Sequence, residues 1–118
     1  MDNVFCFEAG ASTVGKLGLP AVVDATTGKV TALSATMAAS TEVLGIIMSE
    51  VEAGASVEVA CHGAIVKAVI SGAIKKGAPV NVASASGVGY SSTAVKVIGR
   101  CLEAGTTAGD MVDVLVLA

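Results

Sequence analysis

The chain contains a diverged internal duplication, which limits the folds open to it. Residues 18–23 (GLPAVV) match residues 77–82 (GAPVNV) at an offset of 59 residues. In both copies a turn glycine, Gly28 or Gly87, follows the proline by eight residues. The repeat therefore predicts that the same small supersecondary unit is built twice.

Three further pairs of segments continue the repeat in the same order, at offsets between 51 and 55 residues. They are 43–45 with 97–99, 52–54 with 103–105, and 57–59 with 112–114. The drift in offset requires a few inserted or deleted residues, which loops accommodate at little cost.

Each copy is predicted to be β-structure. A strand is entered through proline, which loses no ladder hydrogen bond at a strand's first residue. A glycine turn, a returning strand, a strand carrying a glycine and a hairpin follow, and the copies end in the alternating segments 57–59 (VEV) and 112–116 (VDVLV). The abundance of Ala, Val, Gly, Thr and Ser favours strands and tight turns over long helices. We predict an all-β, internally duplicated β-barrel-like or β-sandwich-like domain with short hairpins and at most one or two short helical turns.

Three segments are less clear. Leu44, Ile47, Met48 and Val51 fall at helical spacing, but the duplicate at 95–101 alternates, so residues 43–51 are predicted to be a strand. Residues 71–76 precede Gly77 in the manner of a helix C-terminus, which predicts one helical turn. Residues 32–41 are interpreted as either a loop or a short helix.

The length of 118 residues allows one domain. We predict an N-terminal arm and Gly-rich connector over residues 1–17 and a single β domain over 18–118. The two copies are placed at about 18–60 and 77–118.

Charge and cysteine content exclude several classes of function. The net charge is −3 and the seven Lys and Arg are scattered, which argues against nucleic-acid binding. The longest uncharged stretch, 77–95, contains Pro, Asn, Gly and Ser and is not expected to span a membrane, and the acidic start does not resemble a secretory signal. Cys6, Cys61 and Cys101 are an odd, widely spaced set, so free thiols in a protein made in a reducing cytoplasm are expected.

Residues 10–17 (GASTVGKL) come within one residue of a phosphate-binding loop. That loop needs Ser or Thr where this chain has Leu17, and it needs a helix to follow, which Gly18 and Pro20 oppose. We therefore interpret the segment as a connecting loop.

The remaining candidates for chemistry are few. His62 is the sole histidine, and Cys61 beside it would point to the opposite face of a strand. Glu50 and Glu52 share a face if extended but are interpreted as solvated edge charges. The sequence predicts no enzyme, no catalytic or metal-binding residue and no cofactor. It predicts instead that apolar surface is left for subunit contacts.

Four segments together resemble the capsid decoration (cement, head-stabilising) proteins of tailed bacteriophages. They are HGAIV at 62–66, KGAPV at 76–80, VIGRCLEAG at 97–105 and VDVLV at 112–116. The resemblance covers residues 43–118 well and the first forty residues weakly.

The resemblance implies a structural virion protein that attaches to the outside of an expanded head, often as trimers, and clamps neighbouring major capsid subunits. The expected partners are the major capsid protein and further copies of this chain, with no nucleic acid or membrane. Phe5, Phe7, His62 and Tyr90 are the predicted capsid or subunit contacts, with the arm over residues 1–10 lying on the capsid or adding as a strand to a neighbour. The alternatives are a generic homo-oligomeric β module, such as a head fibre, spike or shell subunit, and a small enzyme or ligand-binding barrel.

Overall fold

A computed structural model describes residues 3–32, 43–84, 87–89 and 97–118, and for 82–84 and 87–89 it describes the backbone alone. The chain forms β-strands and turns in these ranges, with no helix among them. The strands are β1 (Val4–Glu8), β2 (Pro20–Val23), β3 (Val30–Ala32), β4 (Gly45–Ile47), β5 (Ser56–Ala60), β6 (Ile65–Val69), β7 (Pro79–Ser84), β8 (Gly87–Gly89), β9 (Gly99–Cys101) and β10 (Met111–Val116). The prediction of an all-β domain is confirmed.

The strands form two five-stranded antiparallel sheets with the same internal order. The first sheet runs β1-β5-β4-β2-β3 and the second runs β6-β10-β9-β7-β8. Adding five to each strand number of the first sheet gives the second. We call β1–β5 the first repeat and β6–β10 the second repeat.

The two repeats also agree in register. Ile47 pairs with Val59 in the first, and Cys101 pairs with Val114 at the same place in the second. Gly18 and Gly77 have positive φ angles of 84° and 86°, a conformation that glycine adopts without strain. Their N–H groups donate to Ile47 O at 2.9 Å and to Cys101 O at 2.7 Å. The two repeats are therefore equivalent down to individual hydrogen bonds.

The first sheet curls until its two edges approach each other. Ala9, just after β1, forms a parallel bridge with Val30 in β3, and Gly10 N–H donates to Val30 O at 2.8 Å. A single bridge does not complete a ladder, so the sheet is strongly curved but not a closed barrel.

Two clusters of buried side chains form the core. One lies within the first repeat and contains Ala9, Ala21, Val30, Ile47, Val57 and Val59. The other joins the second repeat to one face of the first, through Val22, Val43, Ile46 and Ala60. The second cluster therefore ties the repeats together.

The structure corrects three local predictions. Residues 4–8 are not a free arm, because β1 pairs along its whole length with β5 of the same chain.

Residues 71–76 form no helical turn, because Ile74 forms an antiparallel bridge with Gly105, which lies after β9. The strand predicted over 43–51 is confirmed in kind but is only three residues long. Of the ambiguous segment 32–41, Ala32 ends β3 and the rest lies outside the described residues.

Candidate interaction surface

The loop that resembles a phosphate-binding sequence has a structural role. Thr13 is fully buried, accepts a hydrogen bond from Val51 N–H at 2.8 Å and donates one to Ser49 O at 2.9 Å. Gly15 N–H donates to Glu50 Oε1 at 2.5 Å. A carboxylate of the chain itself therefore accepts a hydrogen bond from a backbone N–H of this loop, and Thr13 holds the loop against residues 49–51, which follow β4.

We expect Thr13→Val to lower the free energy of unfolding by about 2 kcal/mol, because it leaves the partly buried Val51 N–H and Ser49 carbonyl without their partner in the buried Thr13 side chain. The change can be measured by urea unfolding. Ser12→Ala is the matched control, since Ser12 is exposed and its hydroxyl accepts a single hydrogen bond within the described part of the chain, from Val14 N–H. A loss below about 0.5 kcal/mol for Thr13→Val would contradict this role.

His62 lies exposed in the turn that connects the two repeats. Its carbonyl accepts a hydrogen bond from Asn3 Nδ2 at 2.7 Å, which ties the start of the chain to this turn. The neighbouring Cys61 is half-buried, and burial raises the pKa of its thiol, so this thiol is held in the protonated form that is a poor nucleophile. No group of three or more His, Cys, Asp or Glu side chains in the described residues is arranged to hold a metal ion.

Lys67, Glu103 and Asp113 form an exposed ion cluster on the second sheet. Lys67 Nζ lies 2.6 Å from Glu103 Oε1 and 3.3 Å from Asp113 Oδ1. The hydrogen bond from Lys67, followed by that from Asp113 N–H, lowers the pKa of Glu103. The bonds to Glu103 and Asp113 in turn raise the pKa of Lys67. The ion pair between Lys67 and Glu103 connects β6 to the segment that follows β9.

Because the pKa of Glu103 is lower in the folded chain than in the unfolded one, its stabilising contribution is present above the ordinary glutamate pKa and is lost as the pH falls through the folded value. The contribution of Lys67 is present below its ordinary pKa and is lost as the pH rises through the raised value. We therefore expect Lys67→Met to move the Glu103 pKa upward, toward its ordinary value, in an NMR titration of the side-chain carboxyl carbon. Lys16→Met should leave it in place, and an unchanged Glu103 pKa in Lys67→Met would contradict the assignment.

Large apolar side chains are exposed at several points of the surface. Phe5 is 54% exposed, whereas Phe7, on the same face of β1, packs partly against the core cluster of the first repeat. Ile65, at the start of β6, is 65% exposed and lies three residues from His62. Tyr90 lies outside the described residues. Of the four predicted contact residues, the structure therefore places Phe5 and His62 at the surface and Phe7 partly inside.

Two hollows bring apolar side chains together. One lies at the joint between the repeats and is lined by Leu17, Ile47, Met48, Ile65, Val66, Lys67, Met111 and Asp113. The other, of about 670 Å³, lies in the second repeat and is lined by Ala73, Ile74, Lys75, Lys76, Ala78, Pro79, Ala104, Gly105 and Thr106. Sequence reasoning missed Leu17, Ile65 and Met111 as lining residues, because a strand pattern does not show which alternating side chains will lie at the joint between two units. Their positions in the repeat could have indicated these residues, because Leu17 precedes the repeated Gly18 and because Ile65 and Met111 are the first residues of β6 and β10.

Within the described residues, no helix is both long and apolar enough to cross a membrane. Comparison with models of known protein families gives no match, and comparison with curated proteins gives none that is significant.

Proposed function

We propose that this protein is a non-enzymatic structural component of a phage virion. It binds the outer surface of the expanded capsid as a homotrimer and bridges neighbouring major capsid subunits, which stabilises the head. The proposal combines the resemblance of residues 43–118 to capsid decoration proteins with the surface described above.

The observation that carries the proposal is the exposure of large apolar side chains around the connection between the repeats. Ile65 has the highest exposed fraction among these side chains in the described residues, and it lies three residues after the exposed His62 in the sequence. Apolar surface of this kind usually marks a contact with another protein. We assign Ile65 and His62 to the capsid-binding surface.

The use of the polar side chains fits this role. Thr13 and Glu50 hold a loop in place, and Lys67, Glu103 and Asp113 hold a strand in place. These groups stabilise a rigid fold, which is what a cement protein requires. Many weak contacts, repeated over the symmetric head, then add up to tight attachment.

The duplicated architecture also fits a bridging role. Two units with the same strand order present the same backbone arrangement at two places on one chain. Such a chain can contact two neighbouring capsid subunits that are themselves copies of one protein.

The direct test is co-sedimentation of the purified protein with expanded heads of the phage that encodes it, after the heads have been stripped of it. We expect binding to saturate at a fixed ratio and the loaded heads to survive heating better than stripped heads. Absence of binding at every ratio would contradict the capsid role. If the protein then assembled without heads, it would favour the generic homo-oligomeric β module.

Point variants test the assigned surface. Ile65→Ser should weaken binding to heads by roughly tenfold, the loss expected when an apolar anchor is removed from an interface. Val14→Ser is the matched control, because Val14 is exposed to a similar degree but does not line the hollow that Ile65 lines. Equal binding of the two variants would show that Ile65 is not part of the contact.

A further inference from the structure

The two repeats of one chain are joined in a head-to-tail manner. The corner at Lys16–Gly18 of the first repeat packs on the edge of the second sheet, where Gly18 O accepts a hydrogen bond from Val69 N–H at 3.0 Å. A Cβ at Gly18 would meet Met111 Cε at 2.5 Å, so the approach is close. Leu17 lines the hollow at this joint together with residues of β6 and β10, including Asp113.

Each of the two surfaces that meet in this joint, the corner of the first repeat and the edge of the second, has an equivalent in the other repeat. The equivalent corner of the second repeat is Lys75–Gly77, in which Lys76 takes the place of Leu17. The equivalent edge of the first repeat is β1 with β5, in which Glu8 takes the place of Val69 and Glu58 that of Asp113.

These counterparts do not meet within the chain. Gly77 O accepts from Arg100 Nη1 at 2.8 Å, and the Glu8 carboxylate pairs with Lys29 at 3.2 Å. Among the described residues, no hydrogen bond joins the Gly77 corner to β1. Ala9 N–H points toward β5, so the N–H of Glu8, one residue earlier, points away from β5, to the outer side of β1.

Burial shows the same asymmetry. Ile46, on the face of the first repeat that the second repeat covers, is 2% exposed. Arg100 holds the equivalent place in the second repeat and is exposed. One repeat therefore has its partner, and the other has the same surface uncovered.

The two uncovered surfaces are complementary in charge. Lys75, Lys76 and Arg100 make the second-repeat corner basic, and none of them forms an ion pair with a described carboxylate. Glu8 and Glu58 make the β1–β5 edge acidic, with Lys29 the cation paired to Glu8. In the joint within the chain, the position of Lys76 is held by the apolar Leu17, so the charge at this one position belongs to the uncovered copy alone.

We propose that a second copy of this chain fills this place. The Lys75–Gly77 corner of one copy packs on the β1–β5 edge of the next, and repeats between chains the joint that Lys16–Gly18 forms with β6 and β10 within a chain. Lys76 faces Glu58 across the contact, and Glu8 N–H donates to the second lone pair of Gly77 O. The contact also covers Val4 and Phe5, the counterparts of the joint residues Ile65 and Val66.

A contact of this kind joins two different surfaces, so it either closes into a ring or continues as a filament. Three chains would place six similar units around an axis, which is the closed form that the homotrimer proposed above would take. The contact itself does not depend on capsid binding. Because it is ionic, we expect it to weaken as the salt concentration rises.

The test is a charge exchange followed by sedimentation velocity in the absence of heads. Lys76→Glu and Glu58→Lys should each weaken self-association by roughly tenfold or more, because each places like charges opposite one another. The double variant, which restores opposite charges, should recover association. Lys16→Glu is the matched control, since Lys16 is an exposed lysine of the other corner, and it should leave association unchanged.

A cross-link gives an independent measurement. The counterpart of Cys6 is Lys67, which lines the joint hollow together with Leu17, so a cysteine at position 76 should lie near the exposed Cys6 of the next copy. Lys76→Cys treated with a short bis-maleimide should give covalent multimers on denaturing gels, and Lys76→Cys combined with Cys6→Ser should not.

Three results would overturn the proposal. They are a wild-type protein that remains monomeric at its highest soluble concentration, association that neither charge reversal weakens, and cross-linking that does not require Cys6. A monomer that still saturates heads would overturn this contact and leave the capsid role intact. An oligomer of the expected kind that fails to bind heads would support this contact and contradict the capsid role.

Discussion

Gly45→Ala is expected to destabilise the protein by about 3 kcal/mol, the upper end of the range for overpacking a closely fitted site. A Cβ at this position would overlap the carbonyl oxygen and carbon of Ala60 and lie 3.0 Å from Val59 Cγ1. Two of these atoms belong to backbone that is fixed by the β4–β5 ladder, so they cannot move aside without breaking it. Urea unfolding followed by circular dichroism measures the loss.

The repeat supplies a second site and the chain supplies a control. Gly99, the equivalent glycine in β9, would place a Cβ 2.6 Å from Leu115 O, so Gly99→Ala should also be strongly destabilising. Gly72→Ala should change the unfolding free energy by less than about 0.5 kcal/mol, because no described atom beyond the two neighbouring residues lies within 4 Å of the added Cβ. If Gly45→Ala and Gly72→Ala had the same stability, close approach of β4 and β5 would not explain why the repeat keeps a glycine here.

The repeated glycines explain why much of the fold could be predicted from sequence. Gly18 and Gly77 are fixed by their left-handed backbone, and Gly45 and Gly99 by the approach of a neighbouring strand. Such positions tolerate little change, so they remain visible after the surrounding residues have diverged. The strands between them then follow from proline entry and alternation.

β1 could not be recognised by the same route. Its counterpart is β6, but VFCFE and IVKAV have no residue in common at equivalent positions. The loop after β1 also has two more residues than the loop after β6, because the offset is 61 at Val4 and Ile65 but 59 at Gly18 and Gly77. A comparison at a fixed offset therefore loses the first strand of each repeat and leaves residues 1–17 as an apparent arm.

The helical turn predicted over residues 71–76 failed for a related reason. Lys75 and Lys76 before Gly77 have the local pattern of a helix end, but Gly77 N–H donates to Cys101 O, across the sheet. Its positive φ belongs to a corner between strands, and the local pattern is the same in both settings. A helix end and a corner between strands can be told apart here only by comparison with the equivalent corner at Gly18, which is preceded by a loop and not by a helix.

The surface could be predicted in type but not in detail. The surplus of apolar residues indicated exposed apolar area, and Phe5 and His62 are exposed. Which side chains meet at the joint depends on how one repeat packs on the other, and the repeat pattern contains no information on that packing. The asymmetry between Leu17 and Lys76 is present in the sequence, but it acquires meaning only when the two corners are known to be equivalent.

Deletion of residues 2–9 is expected to abolish cooperative folding, because these residues are a paired strand of the first sheet. The deletion removes all the β1 partners of β5 from Ser56 to Ala60, leaves β4 as its neighbour on one side and exposes its other edge. It also removes Ala9 from the core cluster of the first repeat and Phe7 from its border. The combined loss should exceed about 5 kcal/mol, which is comparable with the whole stability of a small domain.

Thermal unfolding by circular dichroism and amide hydrogen exchange at Val57 and Val59 measure this loss. The truncated protein should show no cooperative transition and no slowly exchanging amides in β5. Phe5→Ser is the control that separates strand from side chain: Phe5 is largely exposed, so this variant should keep the fold and lose less than about 1 kcal/mol. A truncated protein with an unchanged melting temperature would mean that residues 4–8 behave as an arm after all. In that case the exposed edge of β5 would be the surface available to a strand from a neighbouring copy, and Cys6 would no longer be near position 76.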